Sequence, residues 1–325
     1  MPGAERINGW TRIDDYPTRW SAGSDRALEC CRRLEAGEIL FFAGVPFDLA
    51  EPDRAFLISQ KQTISRFHKN ISYRPQRDQI RGISSENSPD ERERAHRIMR
   101  EYSKSVTAFI SRFLAPYAGK IKLDFASFRP LEEQGRGLPT HRRNDLLHVD
   151  SFPTRPVQGA RILRVFTNIN PKNPRIWLTG EPFHELAQKL APEAGLGRYA
   201  AQAGSPLFRA RRSAARWFRT LGFPVGDHSA YDRFMLHFHD WLKFNSDFQE
   251  NSPRMRSEFP PGCTWLVFTD GVPHAALSGQ YALEHTYIVP REALVAPELA
   301  PIEVLEKLAG TRLAPSPAAE SARPG

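Results

Sequence analysis

A series of short apolar segments of strand length, separated by turns rich in proline and glycine, dominates the chain after residue 120. Many short strands separated in this way are typical of a barrel or a jelly roll. The segments are residues 121–128, 145–149, 161–169, 175–178, 264–268, 272–277 and 281–289. The sequence therefore predicts a barrel or jelly-roll core over about residues 119–290.

Helical patterns precede and interrupt these strands. A helix that begins with a cap-like serine is predicted for residues 24–38, and a short apolar strand follows at residues 39–42. Ser88 and the three residues after it predict the start of a long helix that runs to Pro116. A helical insertion of about residues 182–251 separates the fourth and fifth strand segments. We therefore expect an α+β fold with helices flanking a sheet core.

A histidine and an aspartate, His148 and Asp150, occupy alternate positions in one apolar segment. Alternate residues of a strand project from the same face, so both side chains could bind one metal ion. Two histidines and one carboxylate leave coordination positions open on iron(II) for dioxygen and a chelating co-substrate. His274 is the best candidate for the third ligand, because it follows an Asp-Gly turn at the start of a predicted strand. Taken alone, the pair also fits a surface accident or a structural histidine.

Composition limits the remaining possibilities. The chain has 325 residues, a net charge of +8 and three cysteines, Cys30, Cys31 and Cys263, without metal-knuckle or disulfide spacing. This cysteine pattern indicates a reducing cytoplasm. The first residues lack an apolar signal core, and no window is apolar enough to cross a bilayer. The positive charge favours anionic partners, but no zinc-knuckle or RNP-type motif supports nucleic-acid binding.

Several motifs together resemble the Kdo 3-hydroxylases, a family of iron(II)/2-oxoglutarate-dependent oxygenases. The similar stretches are residues 127–130, 148–153, 159–171, 175–183, 231–243 and 265–280, so the resemblance covers about residues 120–290. It implies a double-stranded β-helix (jelly-roll) core and an iron triad of His148, Asp150 and His274. It also implies Fe(II) as the bound metal, 2-oxoglutarate and O2 as co-substrates, and ascorbate as a stimulant. The implied reaction hydroxylates carbon 3 of the Kdo sugar of a lipid A precursor to give the talo-octulosonic acid.

The 2-oxoglutarate anchor departs from a common pattern. Many relatives carry an arginine about eleven residues beyond the distal histidine, where this chain has His285. Because arginine matches a carboxylate in a planar, two-pronged way, Arg175 is our first choice for the anchor, followed by Arg164 and Arg161. Each of these arginines could instead be a solvated strand-end residue. His285 is expected to support the site from behind the ligands, or to be the third ligand should His274 fail.

Further basic residues flank the histidine-aspartate segment. The Kdo sugar carries a carboxylate near phosphorylated neighbours, so Arg129, Arg143 and Arg155 are candidate substrate-binding residues. Ordinary surface arginines are the alternative. His237 and His239, on a predicted helix, are expected in core or interhelical positions rather than as ligands.

Residues 207–221 predict an amphipathic helix with an arginine face and an apolar face. The arginines are Arg209, Arg212, Arg216 and Arg219. Such a helix suits an anionic membrane surface, which would place the protein peripherally on the cytoplasmic face of the inner membrane. Packing against the barrel is the alternative.

The predicted organisation is a single oxygenase domain over residues 1–314, followed by a disordered tail at 315–325. The domain comprises a helical part (1–118), the core (119–290) and a C-terminal helix (297–310). Two other functions stay open: a related hydroxylase acting on another substrate, and a non-enzymatic cupin-like binding protein. The sequence does not predict an oligomeric state.

Overall fold

The computed structural model describes residues 6–7, 9–16, 25–60, 70–135, 137–206, 217 and 227–315. The predicted cap at Ser24, nearly all of the predicted helix at 207–221 and residues 316–325 of the predicted tail lie outside these ranges. None of the helices in the described ranges has the length and apolar character needed to cross a bilayer.

The described strands form two sheets. The strands are β1 (Arg6–Ile7), β2 (Trp10–Arg12), β3 (Ile39–Phe42), β4 (Ile71–Arg74), β5 (Gln79–Arg81), β6 (Lys122–Arg129), β7 (Arg161–Asn168), β8 (Arg175–Gly180), β9 (Arg254–Phe259), β10 (Thr264–Phe268), β11 (His274–Ser278) and β12 (Ala282–Val289). Over the described ranges, the large sheet has the order β1-β2-β3-β10-β7-β12-β6-β4-β5 and the small sheet the order β11-β8-β9. Apart from the parallel pair of β2 and β3, neighbouring strands are antiparallel.

The two sheets pack face to face through aromatic side chains. Phe166 on β7 lies 4.9 Å from Trp177 on β8, measured between ring centroids. Phe259 on β9 stacks on Trp265 on β10 at 3.9 Å. Aromatic pairs at these separations contribute beyond the area that they bury. Two antiparallel sheets enclosing a shared interior make a jelly roll, as the sequence predicted.

Strand alternation separates the interior of the jelly roll from its outer core. In β10, Trp265 and Val267 point into the space between the sheets. Leu266 and Phe268, on the opposite face, join the core formed with the N-terminal helices. Because alternate residues of a strand face opposite sides, a strand that is buried on both faces contributes side chains to both cores.

The helices cover two sides of the sheets. They are α1 (Asp25–Glu35), α2 (Glu51–Ser59), α3 (Pro89–Phe113), α4 (Phe183–Leu190), α5 (Leu196–Gly204), α6 (Ala230–Phe244), α7 (Ser246–Asn251) and α8 (Pro301–Ala309). The predicted long helix is confirmed as α3, which begins with a capping box between Ser88 and Glu91 and packs an apolar stripe on the large sheet. Helices α4 to α8 share a second core with Leu147 and Val149.

The prediction of a strand at residues 145–149 is wrong. This segment is extended, but it pairs only through a single bridge between His148 and His274. The predicted strand at residues 272–277 begins instead at His274, because Pro273 has no N–H to donate to a neighbour. The β4–β5 hairpin, β9 and α2 were not predicted from the sequence.

Candidate metal centre

The three predicted ligands meet where the extended segment crosses the start of β11. The backbone N–H of His148 donates to His274 O at 3.2 Å, and the N–H of His274 donates to His148 O at 2.9 Å. Two residues after His148, the N–H of Asp150 donates to Thr269 O at 2.8 Å. These backbone bonds fix all three side chains at one end of the interior.

The ligand atoms are close enough to share one ion. One ligand atom from each of His148, Asp150 and His274 lies within 4.8 Å of the others. Nε2 of His148 is 3.8 Å from Asp150 Oδ1, and Nε2 of His274 is 3.9 Å from Asp150 Oδ2. Asp150 Oδ2 is buried, and its contact with Arg164 Nη2 at 3.0 Å lacks the geometry of a hydrogen bond. A metal ion would satisfy that oxygen, so these residues fit an iron(II) site.

Hydrogen bonds on the far side of each ring orient both histidines. Nδ1 of His148 lies 2.7 Å from Leu146 O, and Nδ1 of His274 lies 3.0 Å from Val272 O. A carbonyl oxygen only accepts, so Nδ1 carries the hydrogen in each ring. Nε2 therefore keeps its lone pair and faces the site, which is the tautomer that metal binding requires.

The charges of the triad also suit a metal. Burial lowers the pKa of His148 well below its usual value, and the neighbouring His274 adds to this effect. Burial likewise lowers the pKa of His274. Burial alone would raise the pKa of Asp150, but Arg164 and His274 outweigh it and hold the pKa well below its usual range. Two neutral imidazoles and one carboxylate are thus ready to bind without losing protons.

Arg164 links the triad to a buried carboxylate in the sheet interior. Its Nη2 lies 3.0 Å from Asp150 Oδ2, and its Nη1 lies 3.2 Å from Glu284 Oε1. Glu284 also accepts from Arg129, with Nε at 3.1 Å, and from Ser127 and Thr286. Burial would raise the pKa of Glu284, yet Arg164 and Arg129 outweigh it and lower the pKa to about 2. The cavity thus holds an ionised network that fixes two arginines.

Arg175 lines the same cavity from the start of β8, four residues before Thr179, which pairs with His274. Its side chain is almost fully buried, donates from Nη1 to Gly279 O at 2.9 Å and pairs through Nη2 with Glu133 Oε1 at 3.0 Å. Gly279 has φ +127° and allows this approach, because a Cβ there would lie 2.7 Å from Arg175 Cγ. Arg129, Arg164 and Arg175 all line the cavity beside the triad.

The structure places Arg161 and His285 elsewhere. Arg161 pairs with Asp270, Nε to Oδ2 at 2.9 Å, and lies over the Phe268 ring in the outer core. His285 points away from the interior, because its strand neighbour Glu284 takes the inner face. Its Nε2 lies 2.8 Å from Ser103 Oγ on α3. His285 therefore packs between the large sheet and α3.

Helix α6 supplies two neighbours of the triad that sequence analysis did not assign to it. His239 donates from Nδ1 to Val149 O at 2.7 Å, because a carbonyl oxygen only accepts. The His239 ring lies 4.8 Å from the His148 ring, edge to face. Lys243, one turn later, donates to His141 O at 3.2 Å, and burial lowers its pKa to about 8. His239 and Lys243 are four residues apart, so they lie on the same face of the helix, and this spacing was the only sign in the sequence that they share a site.

The two remaining candidate arginines lie further out. Arg143 pairs with Asp145, Nη2 to Oδ2 at 2.7 Å, on a half-exposed loop. Arg155 pairs with the buried Asp124, Nη2 to Oδ2 at 3.0 Å, near Phe152. Arg129 is the one of the three predicted substrate-binding residues that lines the metal cavity itself.

Comparison with known proteins gives consistent matches. The family profile described as 3-deoxy-D-manno-oct-2-ulosonic acid (Kdo) hydroxylase matches residues 18–312. The solved structure of the Kdo hydroxylase KdoO, a non-haem Fe(II) α-ketoglutarate-dependent dioxygenase in complex with cobalt(II), is 32% identical, with a TM-score of 0.80 over 95% of this chain and 98% of that chain. KdoO with α-ketoglutarate and Fe(III) is 31% identical, with a TM-score of 0.78 over 97% and 99% of the two chains. No curated protein matched.

Proposed function

The chain belongs to the Kdo hydroxylase family, and from that membership we propose which residues of its cavity carry out the reaction. It is a non-haem iron(II)-dependent dioxygenase that uses 2-oxoglutarate, the α-ketoglutarate of its solved relatives, as co-substrate. The proposed ligands of the iron are His148, Asp150 and His274. The observation that carries this assignment is the convergence of their three ligand atoms within 4.8 Å in a buried site.

The bound iron, with 2-oxoglutarate and dioxygen, supplies the oxidising power needed to hydroxylate an unactivated carbon. The protein's own residues then orient the reactants and exclude water. Trp177 stacks on the His274 ring at 5.2 Å and closes one side of the site. Arg164 lies 3.0 Å from Asp150 Oδ2 and so helps to hold the ligand carboxylate in place. We propose that ascorbate stimulates the reaction but is not a co-substrate.

We propose Arg175 as the anchor for the far carboxylate of 2-oxoglutarate. The far carboxylate of 2-oxoglutarate lies one molecule's length from the metal. Arg164 contacts the proposed metal ligand Asp150 directly, so it is too close to the metal to bind that carboxylate. Arg175 and Arg129 meet at Glu133, where Arg129 Nη1 lies 3.6 Å from the same oxygen that Arg175 contacts. The planar guanidinium of Arg175, which is almost fully buried, fits a buried carboxylate.

The proposed substrate is the Kdo sugar of a lipid A precursor, hydroxylated at carbon 3. The family membership and the basic net charge of +8 support an acidic glycolipid. The test is oxygen-dependent succinate release by the iron-loaded protein over a panel of Kdo-lipid A precursor, free Kdo, a fatty acid and a peptide. Release with the glycolipid supports the proposal. Release with another compound alone would assign another substrate, and no release at all would favour a cupin-like binding protein.

We further propose that the protein acts as one oxygenase domain on the cytoplasmic face of the inner membrane. The support is the predicted amphipathic pattern of residues 207–221 and the position of the substrate in a membrane. Each basic residue near an anionic bilayer contributes about 1 kcal/mol, screened by salt. Replacing Arg209, Arg212, Arg216 and Arg219 with Gln should therefore reduce co-sedimentation with phosphatidylglycerol vesicles in low salt. Equal vesicle binding by the wild type and the four-Gln variant would show that these arginines do not attach the protein to the membrane.

A further inference from the structure

A second cavity of about 500 Å³ opens beside the metal site. It lies between the start of β6, the loop after Asp150 and the end of β12. Its lining mixes charged and apolar side chains and includes Asp124, Phe152, Arg155, Gln158 and Ile288. Phe152 joins it to the metal site, because Arg164, which contacts Asp150, lies 5.8 Å from the Phe152 ring. The side chains of Phe152 and Arg164 therefore separate a ligand in this groove from Asp150 of the triad.

A buried carboxylate faces into this groove. The pairing of β6 with β12 gains one residue on β6 between Ala126 and Leu123, opposite His285 and Tyr287. Such a bulge turns an additional side chain toward the interior, and here Asp124 is placed there with only 9% of its side chain exposed. Its Oδ2 makes no hydrogen bond of good geometry within the described ranges. Arg155 compensates the charge of this oxygen through an ion pair, and the oxygen can still accept a hydrogen bond from a ligand hydroxyl.

Arg155 stands next to this carboxylate in a fixed orientation. Its guanidinium carbon lies 4.2 Å from the centre of the Phe125 ring and 4.5 Å from that of Phe152. These two contacts leave the edge of the guanidinium as the part that can bind a ligand. Nη2 lies 3.0 Å from Asp124, and Nε makes no hydrogen bond within the part of the chain that the structure describes. A cation held in advance by aromatic rings loses little entropy when an oxyanion binds.

We propose that Arg155 and Asp124 together recognise the reacting sugar acid: Arg155 binds its carboxylate, and Asp124 accepts a hydrogen bond from one of its hydroxyls. This inference rests on the proposed function. In the proposed substrate, one carbon separates the reacting carbon from the carboxylate carbon. The residue that binds the carboxylate must therefore lie near the metal site. Arg155 meets this condition, because it packs on the same Phe152 ring as Arg164, which contacts Asp150. Asp124 adds selection for a polyhydroxylated compound over a simple carboxylic acid.

The test compares the Kdo glycolipid with its carboxamide analogue, at saturating 2-oxoglutarate. The wild type should prefer the acid. Arg155→Met keeps an apolar side chain between the rings, and it should lower kcat/KM for the acid about 10- to 100-fold, as expected for loss of a charged hydrogen bond, with little effect on the amide. Asp124→Asn should lower kcat/KM for both compounds. Arg256→Met, which removes an arginine paired with the exposed Glu258, is the control.

The outcomes separate this inference from the proposed function. A wild type that hydroxylates the glycolipid while Arg155→Met keeps its preference for the acid would overturn the role of Arg155. If Arg155→Met instead lost discrimination between phosphorylated and dephosphorylated glycolipid, Arg155 would bind a phosphate and the carboxylate assignment would fail. A wild type that neither binds the glycolipid anaerobically nor turns it over would refute the proposed function itself. Cobalt(II) affinity and thermal midpoint, measured for each variant, identify any loss caused by misfolding.

Discussion

Gln249 on α7 holds Leu147 by both of its backbone groups. The Leu147 N–H donates to Gln249 Oε1 at 3.0 Å, and Gln249 Nε2 donates to Leu147 O at 2.9 Å. The same amide donates to Leu242 O on α6 at 2.8 Å. A side-chain amide therefore takes the place of a neighbouring strand next to His148. This contact ties the metal segment to the helical insertion.

Replacing Gln249 with Leu should weaken both the fold and the metal site. The variant leaves the N–H and the C=O of Leu147 without their partners, which should cost about 1–3 kcal/mol in the free energy of unfolding. Cobalt(II) affinity should also fall, since His148 follows directly in the chain. Urea unfolding and cobalt titration measure the two effects. Asn251→Ala, on the same helix but at an exposed side chain, is the control, and equal losses in both variants would show that Gln249 has no special role.

This contact also explains why part of the site could not be predicted. The apolar alternation around His148 correctly placed His148 and Asp150 together, because an extended backbone gives this result with or without a sheet. The alternation could not show which residue pairs with the backbone of this segment. Gln249 is about a hundred residues away in the chain, and a glutamine at the end of a helical pattern carries no mark of such a contact.

For the predicted binding arginines, too, the sequence indicated the residues but not their contacts. Six arginines were predicted to bind the co-substrate or the substrate, and three of them, Arg129, Arg164 and Arg175, line the cavity beside the triad. The direction of each side chain depended on strand register, which sets Glu284 inward and His285 toward α3. One residue of slip would have exchanged them. The groove around Asp124 depends on a bulge, for which the sequence of β6 gives no warning.

Loss of any one member of the triad should abolish hydroxylation. Ala variants of His148, Asp150 and His274 each remove one of three ligands, so iron affinity and activity should both collapse while the fold persists. Iron content after anaerobic reconstitution and succinate release are the measurements. His285→Gln is the matched control, because His285 faces α3 and should keep iron. Retention of iron by the His274 variant together with its loss from the His285 variant would exchange the two assignments.

Removal of the Arg175 cation should raise the KM for 2-oxoglutarate. Arg175→Met is expected to raise it about 10- to 100-fold, the usual cost of a lost charged hydrogen bond, with little change in iron affinity. Glu133→Gln is a companion variant that breaks the same ion pair but keeps the cation. Arg161→Met also removes a buried, paired arginine, but one outside the cavity, so it should lower stability without affecting this KM. An unchanged KM in Arg175→Met would move the anchor to Arg164 or Arg129.

The Glu284 network should make the protein lose stability in acid. The pKa of Glu284 is about 2 in the folded protein, against an ordinary value of 4.5. A lowered folded pKa means that the stabilisation is complete above pH 4.5 and is lost as the pH falls toward 2. The difference of about 2.5 units corresponds to roughly 3 kcal/mol at neutral pH.

Urea unfolding of the metal-free protein and of Glu284→Gln measures this contribution. At pH 7 the variant should be less stable by roughly 3 kcal/mol, because Arg164 and Arg129 lose their shared carboxylate. At pH 3 the gap should shrink to less than half, since the wild-type carboxylate is then protonated in the unfolded chain and partly in the folded one. Other acidic groups are common to both proteins and cancel in the difference. A gap of equal size at the two pH values would show that the effect of the substitution comes from packing and not from the charge of Glu284.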